Sequence, residues 1–391
     1  MNYILFDGPF RDNLLPFTYT RPLADVEWGI GSIRDSWERG LGCATSSITE
    51  DYLSEKYPAV FFEQNTFIHA AYLPTPELLE AVSKLTEGEA IFNGDDIVAF
   101  SGSEEMEATN FEQFKRMELD APFLFIRQTW DLFSKNAAAI ALDFDLITAD
   151  RKSEPIPASV QTQGGYPIFI EPGAQLHFCS LNATEGPIYI GKNAQIMEGS
   201  LVRGPFALGA FSMLKMGAKI YGATSVGAYS KVGGELNNSI VFSYSNKGHE
   251  GFLGNSVIGS WCNIGADTNT SNMKNSYEKV RLWDYSQERF VHTGLQFCGL
   301  MMGDHSKCGI NTMFNTGTVV GVAANVFGAG FVKNFVPSFS WGGIQNSQTF
   351  TFEKAMQTAE AAMARKQEIL EEQDREILME VFKWTGKWRK N

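Results

Sequence analysis

Eight aliphatic residues, Ile190, Ile196, Val202, Leu208, Leu214, Ile220, Val226 and Val232, recur at every sixth position without a miss. No helix has that period, and a half-buried strand alternates every second residue. Out of phase, the beat returns at Phe252, Ile258 and Ile264, and again at Met302, Cys308, Phe314, Val320, Val326 and Val332. Glycine often follows the aliphatic residue, as in Ile190-Gly191, Leu208-Gly209 and Val226-Gly227. A period of six makes each repeat one flat side of a coil, with one side chain pointing inward and a small residue allowing the corner. The expected fold here is a parallel β-helix of hexapeptide repeats. Residues 238–251 fall off the beat, and 243-SYSNKGHEG-251 reads as a loop that leaves the coil.

The flanks are different. The opening YILF predicts a short buried strand, 76-PELLEAVSKL-85 an amphipathic helix begun by proline, and 90-AIFNGDDIVAF-100 an apolar segment split by a turn. These predict an α/β domain over residues 1–150. The stretch 148–165, rich in Pro, Ser, Gln and Gly, is the expected linker into a β-helix domain at 151–345. Residues 346–391 read as a C-terminal helix with Ala355, Ala359, Ala362, Ile369 and Ile377 along one side.

Asp and Glu number 45 against 32 Lys and Arg, a net charge of −13 without a local basic face, which argues against a nucleic-acid partner. An anionic small molecule would need its own cluster of cations. Cys43, Cys179, Cys262, Cys298 and Cys308 are odd in number and unpaired in spacing, so neither a disulfide framework nor a structural zinc site is expected, and a reducing cytoplasm fits. The start MNYILFDGPFRD has no basic region of a secretory signal. The uncharged run from Cys308 to Val332 is too rich in Asn and Gly for a membrane span.

The segment 247-KGHEGFLGNSVIGSWCNIGADTNTSNMK-274 joins a Gly-His pair to Leu-Gly, then Asn-Ile-Gly-Ala, Thr and an asparagine. In this it resembles the acetyltransferase half of the bifunctional GlmU-type enzymes, which make UDP-N-acetylglucosamine. They join a sugar-1-phosphate uridylyltransferase domain to a left-handed hexapeptide β-helix, the domain order expected here, and the likeness points to a divergent bacterial branch with a shortened first domain. The resemblance implies His249 as general base, Lys215 as a phosphate-binding cation, and Asn263, Ala266 and Asn272 lining the sugar and acetyl-coenzyme A site. Lys279 lies near a further family lysine. Phe252 and Asn237 depart from a family tyrosine and lysine. Family members place their active sites between neighbouring subunits, which implies a homotrimer.

The chemistry suits those residue types. An ammonium has no lone pair, so forming an amide from an amino sugar and a thioester requires a base, and an imidazole titrating near ~6.5 serves at neutral pH. The thioester oxygen gains charge in the tetrahedral intermediate, which Asn272 or backbone N–H groups would meet. A lone histidine is ordinarily structural; the motif around His249 is what raises it above that. His305, in MGDHSKCGIN, is the rival, read as a second polar site or a structural turn. His69, His177 and His292 have no supporting motif.

In the first domain, 4-ILFDGPFRDNLLPFTYTRP-22 resembles the opening of the nucleotidyltransferases but keeps only Gly8, Arg11 and Arg21 of a glycine-rich, phosphate-holding loop. Asp95, in FNGDD, resembles the family aspartate that binds Mg²⁺, against the plainer reading of an Asn-Gly-Asp turn. Asp143 and Asp145 are candidates for a second ligand by position alone. The expected protein is a transferase using acetyl-coenzyme A, a sugar-1-phosphate and a nucleoside triphosphate, acetylating glucosamine-1-phosphate in one domain and transferring a nucleotidyl group in the other. Its rivals are a nucleotidyltransferase with a purely structural β-helix and a non-catalytic sugar-nucleotide-binding protein.

Overall fold

A computed structural model describes residues 2–103, 114–343 and 347–389; the expected boundary at 345/346 lies outside the described residues. The opening YILF is strand β1 (Asn2–Phe6), flanked in parallel by β2 (Ser46–Ile48) and β3 (Asn65–His69). The apolar segment split by a turn is a hairpin, β4 (Glu89–Asn93) and β5 (Asp96–Gly102), and with β6 (Lys115–Met117) it completes a sheet of order β2-β1-β3-β5-β4-β6. Helix α1 (Ile33–Leu41) starts on a Ser32/Asp35 capping box and ends on Gly42 at φ +70. After α2 (Asp51–Ser54), the proline-led helix is α3 (Pro76–Ser83). Sheet and helices share a core that includes Leu5, Trp37, Ile68, Leu78 and Val98.

Helices α4 (Thr129–Ser134) and α5 (Asn136–Thr148) lead to the coil, and α5 packs Ile140, Phe144 and Ile147 against Phe169, Ala207 and Ala223 of its wall. The first coil strand is Gln161–Gly164, inside the segment read as linker. The coil is a left-handed parallel β-helix, nine strands in its longest sheet. Down that sheet Ile170, Ile190, Leu208, Val226, Val241, Ile258, Met302, Val320 and Val336 stack in register, one per turn.

Two readings of the coil need correction. The chain does not leave it at 238–251: Ile240–Val241 and Asn246–Lys247 are strands in register with their neighbours. The beat fails because that turn is short, Val226 to Val241 being fifteen positions where Leu208 to Val226 is eighteen. A true insertion lies later, between Ile258 and Met302, and carries an antiparallel hairpin of Arg281–Asp284 and Arg289–His292. The glycines after the aliphatic residues do not make the corners either. A Cβ on Gly209 would lie 2.6 Å from the Ala228 backbone nitrogen of the next turn, so close stacking excludes a side chain there. One corner instead uses left-handed Phe211, Tyr229, Tyr244, Trp261 and His305, φ +58 to +65, whose rings stack as a ladder.

The C-terminal helix is two helices, α6 (Phe352–Ala364) and α7 (Glu372–Trp384). Between them Gln367 turns left-handed and Ile369 is 80% exposed, so it belongs to no apolar face. Lys366 donates to the Tyr229 carbonyl and Tyr244 to Glu368, tying this link to the ladder. Among the described residues no helix is long and apolar enough to cross a membrane.

Candidate functional site

His249 stands exposed on the bend 249–251, where the shortened turn meets the next. The bend is pinned on both sides: Glu235 N–H donates to the Gly251 carbonyl at 3.2 Å and Asp267 N–H to the Glu250 carbonyl at 3.0 Å. A Cβ on Gly251, at φ +113, would lie 2.1 Å from the Thr268 carbonyl oxygen, so only glycine lets the bend lie this close to the following turn. Glu250, next along the chain, pairs with Lys219 at 3.3 Å.

Lys215, Gly233 and Gly248 occupy one corner of three successive turns, joined by Lys215 N–H to the Val232 carbonyl and Gly233 N–H to the Lys247 carbonyl, both 2.7 Å. A Cβ on Gly233 would sit 3.1 Å from that of Lys215 and 2.9 Å from the Gly248 oxygen. With glycine at 233 and 248, no side chain intervenes along this corner between Lys215 and the residue preceding His249. The Asn272 amide donates to the Asn255 side chain at 2.9 Å and flanks Gly254 together with the Phe252 ring. One of its two N–H groups remains for another acceptor. Asn263, exposed, bridges Asn246 and Lys307 through its backbone, and the Ala266 carbonyl accepts from Asn311 N–H at 2.8 Å. Lys279 is exposed at the start of the inserted hairpin.

The first domain's candidates are scattered. Gly8, at φ +61, packs directly on His69: a Cβ there would be 2.1 Å from Nε2. Arg11 is buried, 3.2 Å from Asp7 and donating to the Thr18 carbonyl and Tyr52 hydroxyl, both 2.7 Å. Burial pushes the Asp7 carboxyl up to about 6 in spite of that arginine. Arg21 pairs with Asp304 across the seam between domain and coil, beside a Thr20–Asp304 bond of 2.6 Å. Asp95 is exposed at the tip of the β4–β5 hairpin, the plain turn, while Asp96 is committed to Arg127. Asp143 is buried, accepting from Ser36 and Ile30 at 2.6 Å, and Asp145 is exposed. Among the described residues no three His, Cys, Asp or Glu converge as metal ligands. Asp95, Asp143 and Asp145 do not come together as a site for a protein-held Mg²⁺.

Three groups carried no signal in the sequence. Lys247, buried in an aliphatic column, donates to the Gly233 and His249 carbonyls, each at 2.9 Å. Asn255 holds Asn272. His69 ends β3 beside β1, at the carboxyl ends of parallel strands where open α/β sheets bind ligands. It is 1% exposed, burial lowers its pKa to about 3, and its Nδ1 accepts from Ala71 N–H, which leaves the proton on an unpartnered Nε2. His305 takes the left-handed corner below Trp261, its pKa held down to about 4 by burial.

An open α/β domain thus sits against a left-handed hexapeptide coil. Residues 3–152 match a family model described as sugar nucleotidyl transferase. No curated protein matches the chain. Among solved structures, the polysialic-acid-specific acetyltransferase NeuO is similar over 49% of this chain and 85% of its own, at 14% identity and TM-score 0.29. The polysialic acid O-acetyltransferase OatWY covers 49% and 87%, at 13% and 0.22. The Arabidopsis UDP-N-acetylglucosamine acyltransferase covers 58% and 81%, at 14% and 0.19. Likenesses this slight bear on neither activity nor substrate.

Proposed function

We propose that the β-helix transfers acetyl from acetyl-coenzyme A to the amine of glucosamine-1-phosphate, with His249 as base. The observation that carries this is the stacked corner of Lys215, Gly233 and Gly248, which sets His249 beside the corner two turns on from Lys215: Lys215 would supply charge for a phosphate, and His249, exposed and without a hydrogen-bond partner for its imidazole among the described residues, would supply the base. The amine nitrogen attacks the thioester carbon while His249 takes its proton; the C–S bond then breaks and the coenzyme A thiolate leaves, to be protonated from the imidazolium. The second Asn272 N–H and backbone donors would meet the oxyanion. Asn263, Ala266 and Lys279 would line a site shared with neighbouring copies of a cytoplasmic homotrimer, a reading that suits the exposed Phe178, Leu201 and Met216 of the coil. His249→Ala should lower turnover about 10²–10⁴-fold with acetyl-coenzyme A binding little changed. Near-normal turnover in a folded variant would falsify the assignment.

For the first domain the reading is nucleotidyl transfer to a sugar-1-phosphate from a nucleoside triphosphate, supported by the family match over residues 3–152. A second reading, a domain that binds a sugar nucleotide without catalysis, is favoured by the commitment of Arg11 and Arg21 to buried carboxylates. Pyrophosphate release from UTP or dTTP with Mg²⁺ and a sugar-1-phosphate separates the two.

A further inference from the structure

We infer that Lys247 is a positioning residue that holds the His249 backbone in place for acetyl transfer, an inference resting on the proposed role of His249. Lys247 registers with Val232, in the column that continues Leu176, Ile196 and Leu214. Every other member of that stack is aliphatic, and Lys247 is only 2% exposed. Placing an ammonium in an aliphatic column costs desolvation that an apolar residue of similar size avoids. What the lysine gains is position: its Nζ lies 2.9 Å from the Gly233 oxygen of the preceding turn and 2.9 Å from the His249 oxygen. One cation thus ties the carbonyl of the candidate base to the preceding, shortened turn of the coil. The bend's other backbone bonds grip Glu250 and Gly251, so among the described residues the lysine is the tie on His249 itself. Glycine at 234 belongs to the same arrangement, since a Cβ there would meet the lysine nitrogen at 2.9 Å and the His249 oxygen at 2.8 Å. The charged groups around the ammonium are Glu250, Asp267 and Lys219, and burial brings its pKa down to about 8 against the pull of the two carboxylates.

The test compares the full chain with Lys247→Met and His249→Ala, reading thermal midpoint, kcat and KM for acetyl-coenzyme A with glucosamine-1-phosphate, and the imidazole NMR resonances of His249. Lys247→Met should fold with an unchanged or higher midpoint, because the column becomes apolar throughout. Its kcat should fall about 10–100-fold, the scale of an ångström-sized misplacement of a reacting group, with KM within about twofold, and the His249 resonances should shift or broaden. A core role alone would move the midpoint and leave the resonances and kcat. Unchanged His249 resonances, or an unchanged kcat in Lys247→Met where His249→Ala is inactive, would overturn the inference while leaving the acetyl-transfer reading standing. If His249→Ala keeps its turnover, that reading fails, and the resonances still decide whether Lys247 tethers the bend. Should Lys247→Met not fold, Lys247→Leu repeats the test, and failure of both to fold would show a structural lysine and overturn it.

Discussion

At single residues, the seam between the first domain and the coil carries ionisable groups whose surroundings work against their charge. Glu27 accepts Ser243 N–H at 2.7 Å and lies where a Cβ on Gly227 would fall, and burial raises its pKa to about 7. Its folded pKa lies above its unfolded one, so the stability it contributes is full below about pH 4.5 and is lost as pH rises through about 7. His69 and His305 run the other way, depressed to about 3 and about 4, so below their ordinary value of 6.5 they weaken the fold as it acidifies. Replacing Glu27 isolates one sign from the other. Glu27→Gln should be about 1–3 kcal/mol more stable than the parent at pH 8 and show no such gain at pH 5. Chemical denaturation at the two pH values measures it; a difference independent of pH would contradict the raised carboxyl.

Among the elements, helix α7 joins the most distant parts of the chain. It buries Ile377, Leu378 and Val381, while Asp374 at its start pairs with Lys56 just beyond α2 and Phe382 meets the Phe339 ring of the coil at 5.0 Å. Ile377→Ala should cost about 2–5 kcal/mol, seen as a fall in the midpoint of urea unfolding, and a loss under 1 kcal/mol would mean the helix is only loosely docked. That α6 and α7 are separate was hidden in the sequence, because 364-ARKQEIL-370 has neither glycine nor proline to mark the break. The coil was legible because one inward aliphatic per flat side leaves a period shared with no helix or alternating strand. Its short turn was not, since Lys247 fills an aliphatic slot and masks the beat. His249 is a candidate through its motif. Its tie to Lys247, the Asn255–Asn272 bond and the carboxylate partners of the arginines depend on which turns and domains stack together, and local pattern does not encode that.

In the molecule as a whole, the two domains are fused through polar groups as well as apolar ones. Asn136 of α5 donates to Ser225 at 3.0 Å and to the Ala223 carbonyl at 3.2 Å, and Ser225 donates to the Gly29 carbonyl at 2.7 Å. The Arg21–Asp304 pair lies on the same seam, the side chains 13% and 3% exposed, with Asp304 also accepting Ser260 N–H at 2.8 Å. This pair borders a cavity of about 250 Å³ lined from the first domain, the coil and α7 by Glu27, Lys56, Trp261, His305 and Asp374 among others. An arginine so engaged is held by the coil and would have to leave Asp304 to reach a nucleotide phosphate. Asp304→Ala strands a buried guanidinium and should cost about 3–5 kcal/mol, whereas replacing both partners with apolar residues, Arg21→Met with Asp304→Leu, should cost markedly less. If Arg21 serves the fold alone, Arg21→Met combined with Asp304→Leu will bind UTP as the parent does. If Arg21 serves the nucleotide, that variant will be stable and lose UTP affinity. Denaturation of both singles and the double, with calorimetric titration of UTP and Mg²⁺ into each folded form, makes the distinction. Equal destabilisation by the double and the Asp304→Ala variant would show that the charge pair itself, and not the stranded charge, holds the seam.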